Sequence, residues 1–383
     1  MLALALGGFG IGTTEFVTMG LLPDIAADFD ISEPTAGHAV SAYALGVVVG
    51  APLIAALCAR VPRKKLLIAL MAAFTVGNAA TVLAPTFGTL VAARFVSGLP
   101  HGAYFGVASL AAATLAPVGQ RAKAVAAVML GLSVANVIGV PGATWLGQHL
   151  GWRDAYVVVA VIGVATVAAL WRFVPSLSGM KITNPMTELG ALRRPQVLLT
   201  LAVGAIGFGG MFAVYTYIAT TMTDVAGMPI GAVPIVLALF GLGMITGNVL
   251  GGILADRGVD RSILVGMIAM VIILAGFVAA AHNPITASIG AFLVGASGAA
   301  LAPGLQTRLM DVAADAQTLA AALNHAALNI ANAAGAWLGG LVIAAGLGYT
   351  APAAVGALLA ILGVGLFTVT VWAARRRAPD TAG

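Results

Sequence analysis

Two full charges, Glu15 and Arg94, stand inside stretches that are otherwise apolar. A carboxyl group withdrawn from water favours its protonated form, and a cation beside it favours the ionised one, so a carboxyl balanced between the two can load and release a proton. Counting along the chain brings the pair to one depth. Glu15 lies seven residues before its apolar run ends near Leu22, and Arg94 lies seven residues after its own run begins near Phe87. If both runs are helices crossing the same layer in opposite directions, each charge is roughly 10 Å below one face. The two side chains could then meet directly or through water. The bland alternative is a static ion pair that ties two helices together.

Weaker candidates surround them. His101 is seven residues beyond Arg94, on nearly the same helical face, where it either faces a cavity or packs through a hydrogen bond. Thr14 and Phe16 flank Glu15, and Phe212 and Tyr215 occupy a later run; together they could line an amphipathic pocket. His325, Asn329 and Asn332 follow an i, i+4, i+7 stripe that would face water or another helix, as interhelical hydrogen bonds or as ligand contacts. No His, Asp or Glu cluster has metal-ligand spacing and no nucleophile–base pair is visible, so neither an enzyme nor a metal or cofactor site is expected. The single cysteine, Cys58, excludes a disulfide framework and reads as a packing residue.

The elements that must position these groups follow from composition. Of 383 residues, 61% are apolar and 8% charged, against about a quarter charged in a soluble domain. With a mean hydropathy of +1.05 the solvent must be lipid. Apolar runs of spanning length fall at about 1–22, 36–59, 66–84, 87–116, 124–149, 155–174, 197–222, 230–255, 262–281, 284–306, 317–346 and 350–374. They are continuous rather than alternating, which predicts twelve helices and excludes a strand barrel. Of the 18 Lys and Arg, all but Arg94 and Arg153 fall in one alternate set of connections or at its edges. The positive-inside rule therefore places that set, and both termini, in the cytoplasm, with the chain in the inner membrane. Residues 1–22 lack a positive leader region, so no cleaved signal peptide is expected. The +5 charge is thus topological; no basic stripe interleaved with aromatics suggests nucleic acid. A monomer surrounded by membrane lipid is expected.

The chain also repeats itself. At an offset of 197, Leu45, Gly46, Gly50, Leu53, Leu57 and Arg60 meet Leu242, Gly243, Gly247, Leu250, Leu254 and Arg257, and Leu150-Gly151 meets Leu347-Gly348. Six helices per copy is an even number, so the copies share one orientation and should hold a site between them. The divisions expected are a first half at 1–174, a cytoplasmic linker at 175–196, a second half at 197–374 and a tail at 375–383. The positions equivalent to Glu15 and Arg94 are Phe212 and Ala291, which confines proton chemistry to the first half. Gly98, Gly102 and Gly106, and Gly243, Gly247 and Gly251, form four-residue ridges for close helix approach.

Several short motifs resemble those of the major facilitator superfamily, and within it the drug:proton antiporters near the arabinose-efflux-permease-like and chloramphenicol-resistance exporters. The resemblance covers essentially the whole chain. Leu57-Cys58-Ala59-Arg60-Val61-Pro62-Arg63-Lys64 is similar to the family's loop between helices two and three, though Ala59 stands where an aspartate is usual and Pro62 where glycine is. The second copy, Leu254-Ala255-Asp256-Arg257, keeps the aspartate. The resemblance implies cytoplasmic gating roles for Arg60, Arg63, Lys64, Asp256 and Arg257; the aspartate to which the family's ionic latch is assigned is absent from the first copy. Leu90-x-x-x-Arg94-x-x-x-Gly98 resembles the fourth-helix motif whose arginine is implicated in proton transfer. Gly139-Val140-Pro141-Gly142 resembles a shortened export signature, which implies that Gly139, Pro141 and Gly142 kink the fifth helix and seal one side. Gly12-Thr13-Thr14-Glu15-Phe16 looks like the start of these exporters.

The function implied is proton-coupled export of a small drug-like or amphipathic molecule by alternating access. Sugar or metabolite efflux on the same scaffold remains open, as does a non-transporting membrane scaffold or sensor.

Overall fold

The computed structural model describes residues 1–58, 61–117, 121–177, 193–313 and 317–377. Every regular element among them is helical, as an apolar chain must be when lipid offers its backbone no partners. In chain order the long helices are α1 (Leu2–Gly20), α2 (His38–Leu57), α3 (Arg63–Val82), α4 (Phe87–Leu115), α5 (Arg121–Val134, continuing to Leu150), α6 (Trp152–Phe173), α7 (Pro195–Gly207, continuing to Thr220), α8 (Val233–Arg257), α9 (Val259–Ala280), α10 (Pro284–Ala299, continuing as Leu301–Ala313), α11 (Gln317–Ala344) and α12 (Ala351–Arg377).

Eleven of these regions are long and apolar enough to cross a membrane. The helix left out is α4, which at 29 residues is ample in length but is diluted by Arg94, Pro100, His101 and four glycines. The helix that fails the hydropathy test is the one that carries the candidate chemistry. With it, the expectation of twelve spanning helices holds among the described residues.

The duplication is visible atom by atom. A Cβ on Gly46 would collide with the carbonyl of Phe95, one on Gly50 with that of Leu99, and one on Gly98 with that of Tyr43; Gly243, Gly247 and Gly295 stand in the same relation to Phe292, Ala296 and Phe240. Each pair is displaced by 197 residues. Backbone therefore lies on backbone where α2 crosses α4 and where α8 crosses α10, an approach only glycine permits. The ridge expected along α4 ends early: Gly102 abuts Ala51, but Gly106 has open space. Gly151 and Gly348, also 197 apart, both take positive φ, +119° and +79°, where the chain turns back before α6 and α12.

Three helices are interrupted. In α5, a π-helical turn at Ala135–Gly139 precedes Pro141, the backbone irregularity that a proline without an N–H invites. In α7, breaks at Phe208 and Tyr217 lead into a second π turn, Thr221–Val225. In α10 the break falls at Ala300. Of the divisions expected from sequence, residues 178–192 of the linker and 378–383 of the tail lie outside the described residues, as does Arg60.

The two six-helix groups meet along α1 with α7, α2 with α11, and α5 with α8. Most of these contacts lie at the end of the bundle away from the chain termini, here the far end. There Ser41 Oγ donates to the Ala333 carbonyl at 3.1 Å, Thr220 donates to the Glu33 carboxylate, and Gly37 and Gly340 pack on the Tyr217 hydroxyl from opposite groups. A Cβ on Gly241 of α8 would strike the Asn136 backbone in the π turn of α5. Nearer the termini the groups touch where Phe105 stacks on His325, with centroids 5.8 Å apart.

Candidate functional site

Arg94 is the largest wholly buried side chain in the molecule's described residues. It is not ion-paired with Glu15. Its Nη1 donates to Thr14 Oγ1 and its Nη2 to the Thr14 carbonyl, both at 2.9 Å. The guanidinium carbon lies 4.4 Å from the ring centre of Tyr43 and 5.3 Å from that of Tyr156. Two aromatic faces and a bidentate contact to α1 therefore hold the cation without a carboxylate. Tyr156 also shares a hydrogen bond of 2.6 Å with Thr18, while Ser97 donates to the Arg94 carbonyl.

Thr14 is held in turn by α3. Its hydroxyl donates to Asn78 Oδ1 at 2.5 Å, and Asn78 Nδ2 donates to the Phe74 carbonyl at 2.8 Å. Composition obscured this residue, because a lone Asn in an apolar run has no periodic signature; its only visible mark was polarity at membrane depth.

Glu15, the next residue of α1, is 6% exposed and makes no hydrogen bond or ion pair among the described residues. It lies within electrostatic range of Arg94, Tyr43 and, in the other group, Tyr215. Phe16 stacks on Phe212 at 6.4 Å and meets Tyr215 edge-on at 5.7 Å, and Tyr215 stacks on Phe240 at 3.9 Å. Three of the residues predicted to share a pocket, Phe16, Phe212 and Tyr215, thus converge on the interface, while Thr14 is engaged by α3 and α4. Several buried polar atoms have no partner among the described residues: the Tyr215 hydroxyl, Asn329 Oδ1 and both amide atoms of Asn332.

His101 is buried and shares a hydrogen bond of 3.1 Å with Tyr43, so it supports the Arg94 cage through that ring, and it packs on Phe105 at 5.3 Å. His325 reaches the same spot from α11 and accepts, through its carbonyl, from Asn329. The export-motif residues divide. Gly139 lies against Thr13 and Phe9, Pro141 is buried, and Gly142 is exposed with open space beside it.

The ion pair near the second copy of the loop motif is made by a neighbouring aspartate. Asp256 and Arg257 are exposed and form no ion pair among the described residues. Four residues on, Asp260 of α9 pairs with Arg308 of α10, whose guanidinium also packs 5.3 Å from the Phe367 ring centre. Arg308 is nearly buried and Asp256 is exposed; among the described residues the ion pair of Arg308 is with Asp260. In the first group Lys64 donates to the Trp171 carbonyl at 2.9 Å, and Arg63 begins α3 half-buried. At the far end, Arg153 at the start of α6 pairs with Asp28 at 2.6 Å, and outside the spans burial pushes the Asp24 carboxyl above its usual range against a smaller opposing backbone hydrogen bond.

Duplicated spanning helices that enclose buried charges and unpaired polar atoms along their shared interface define a multi-pass membrane transporter. The Major Facilitator Superfamily model matches residues 4–283 and, in a second alignment, 221–383. The inner membrane transport protein YdhP of Escherichia coli (strain K12) is 42% identical over 381 residues, covering 100% of this chain and 97% of that protein. A chloramphenicol resistance protein of Streptomyces lividans is 36% identical over 91% of this chain and 88% of its own length. Among solved structures, a D-xylose–proton symporter superposes with a TM-score of 0.77 over 96% of each chain at 17% identity. The chain belongs to the major facilitator superfamily, which places it among transporters of small molecules rather than among enzymes.

Proposed function

We propose that the protein exports a small amphipathic molecule across the inner membrane in exchange for protons, with both chain termini cytoplasmic and residues 1–174 and 197–374 as the two rocking bodies. The observation that carries this reading is Glu15. It is a buried carboxyl without a fixed partner, beside a buried cation and on the interface between the bodies, where Phe212 and Ala291 leave the second half without an equivalent.

In this reading substrate enters from the cytoplasm and settles against Phe16, Phe212 and Tyr215 while Glu15 loses its proton. Opening of the far end lets a proton return to Glu15 and releases the substrate. Glu33–Thr220 and the Gly241–Asn136 crossing close the far end; Gly139 and Pro141 shape that crossing. Asp260–Arg308, with Lys64, secures the cytoplasmic ends of helices within each body. The name of the Streptomyces relative supports a drug-like substrate. The unpartnered Asn329 Oδ1 and the Asn332 amide favour, as a second reading, a hydroxyl-rich metabolite.

Inverted membrane vesicles with an acidified lumen test the proposal with a panel of amphenicols, lipophilic cations and pentoses. A compound that collapses the pH gradient only when the protein is present supports proton exchange and identifies the substrate class. Compound uptake with no proton movement would replace exchange by uniport.

A further inference from the structure

The proton-exchange reading leaves unexplained why Arg94 is bound to Thr14 when an unpartnered carboxylate is the next residue along α1. A desolvated guanidinium and a desolvated carboxylate ordinarily collapse into a bidentate pair. Something must hold Arg94 back, and the hydrogen-bond directions identify it.

Asn78 Nδ2 is committed to the Phe74 carbonyl. The opposite orientation of the amide would set its oxygen against that carbonyl, so Oδ1 must face Thr14. A carbonyl oxygen only accepts, so the single Thr14 hydroxyl proton points at Asn78. The Thr14 lone pairs are then left facing α4, where Arg94 Nη1 donates to one of them. The order is therefore directional, from Arg94 to Thr14 to Asn78 to the α3 backbone, and each bond polarises the next. Thr14, Asn78 and Arg94 are all wholly buried. At the corresponding positions of the second half stand Met211, Ala275 and Ala291. The same helix packing is thus achieved there without any of the three, which separates this relay from the requirements of the fold.

We propose that Asn78 is a positioning residue that, by fixing the Thr14 hydroxyl as an acceptor, holds the Arg94 guanidinium on the backbone of α1 and off the Glu15 carboxyl. The inference rests on Glu15 being the proton site. Its consequence is that Glu15 feels the cation at a distance and stays able to bind a proton, instead of being locked in an ion pair. The charged and titratable groups facing the site are Arg94 from α4, Tyr43 from α2, Tyr156 from α6 behind Arg94, and Tyr215 from α7. None besides Arg94 is a cation that could take its place.

The test reads Glu15 itself and needs no substrate. Dicyclohexylcarbodiimide reacts with protonated buried carboxyls, so its labelling of the Glu15 peptide, followed by mass spectrometry against pH, gives a midpoint for proton binding. With Asn78→Leu the Thr14 hydroxyl is free to turn, Arg94 can reach Glu15, and the midpoint should move to lower pH by about one unit, a tenfold loss of proton affinity. Thr14→Val should give the same shift and Thr14→Ser none, and Thr14→Val with Asn78→Leu should shift no further than either alone. Asn78→Ala, which removes the same acceptor without adding bulk, decides the matter if Asn78→Leu does not fold. A wild-type midpoint that none of these variants moves overturns the role of Asn78 and leaves proton exchange standing. A wild-type Glu15 that shows no pH-dependent labelling overturns both.

Discussion

Gly241 sets how tightly the far end can shut. A Cβ built there lies 2.7 Å from the Asn136 carbonyl carbon and closer still to its oxygen, where ordinary contact begins at 3.4 Å. Gly241→Ala therefore requires the α5 backbone to retreat by at least the difference, 3.4 − 2.7 = 0.7 Å. The atoms in the way are main chain, so no side chain can swing aside. Overpacking of this kind costs about 1–3 kcal/mol. Because Gly241 and Asn136 belong to opposite bodies, the penalty falls on the closed far end alone and moves the closed-to-open ratio by about 5- to 150-fold. Gly46→Ala makes a similar backbone collision with Phe95, but within one body, so it should lower stability without favouring either state. Spin labels at Ala27→Cys and Ala345→Cys, in a Cys58→Ser background, would report the far-end distance by double electron–electron resonance. The longer-distance population should grow in Gly241→Ala and stay at the parent level in Gly46→Ala. A folded Gly241→Ala protein with an unchanged distribution would refute the argument that this crossing limits closure.

Other consequences follow from single contacts. Asp260→Asn leaves the nearly buried Arg308 without its counter-ion and should lower thermal stability in detergent by about 1–3 kcal/mol, whereas Asp256→Asn, at an exposed and unpaired position, should stay within about 0.5 kcal/mol of the parent. Because burial raises the Asp24 carboxyl above the usual carboxylate range, its ionisation opposes folding. Asp24→Asn should therefore match the parent in acid and become the more stable protein as pH rises past that range, in melts run at several pH values. Gly142→Ala, with open space beside the glycine, should leave the far-end distance unchanged despite its place in the export-like motif.

The architecture was legible because lipid imposes it. Apolar run length marked the helices, and the 197-residue offset that aligned Gly46 and Gly50 with Gly243 and Gly247 reappears as matched collisions with Phe95 and Leu99, Phe292 and Ala296. Glu15 and Arg94 were legible as charges at one depth. What joins them was not, because the partner of Arg94 is in part a backbone carbonyl and sequence distinguishes no carbonyl from another. Asn78 stayed hidden for want of a pattern. Asp256 and Asp260 lie four residues apart on either side of the break at Gly258, and only the fold reveals which faces Arg308. The π turn at Ala135–Gly139 likewise has no mark in the sequence beyond the nearby Pro141.

The central claim is that protons drive transport through Glu15. Once the vesicle panel supplies a transported compound, its accumulation under an imposed pH gradient and its exchange without a gradient can be compared in proteoliposomes for the parent protein and Glu15→Gln. The account predicts that Glu15→Gln still exchanges labelled for unlabelled compound but no longer accumulates it when a gradient is applied. Accumulation by Glu15→Gln equal to that of the parent, with the same dependence on pH, would contradict it.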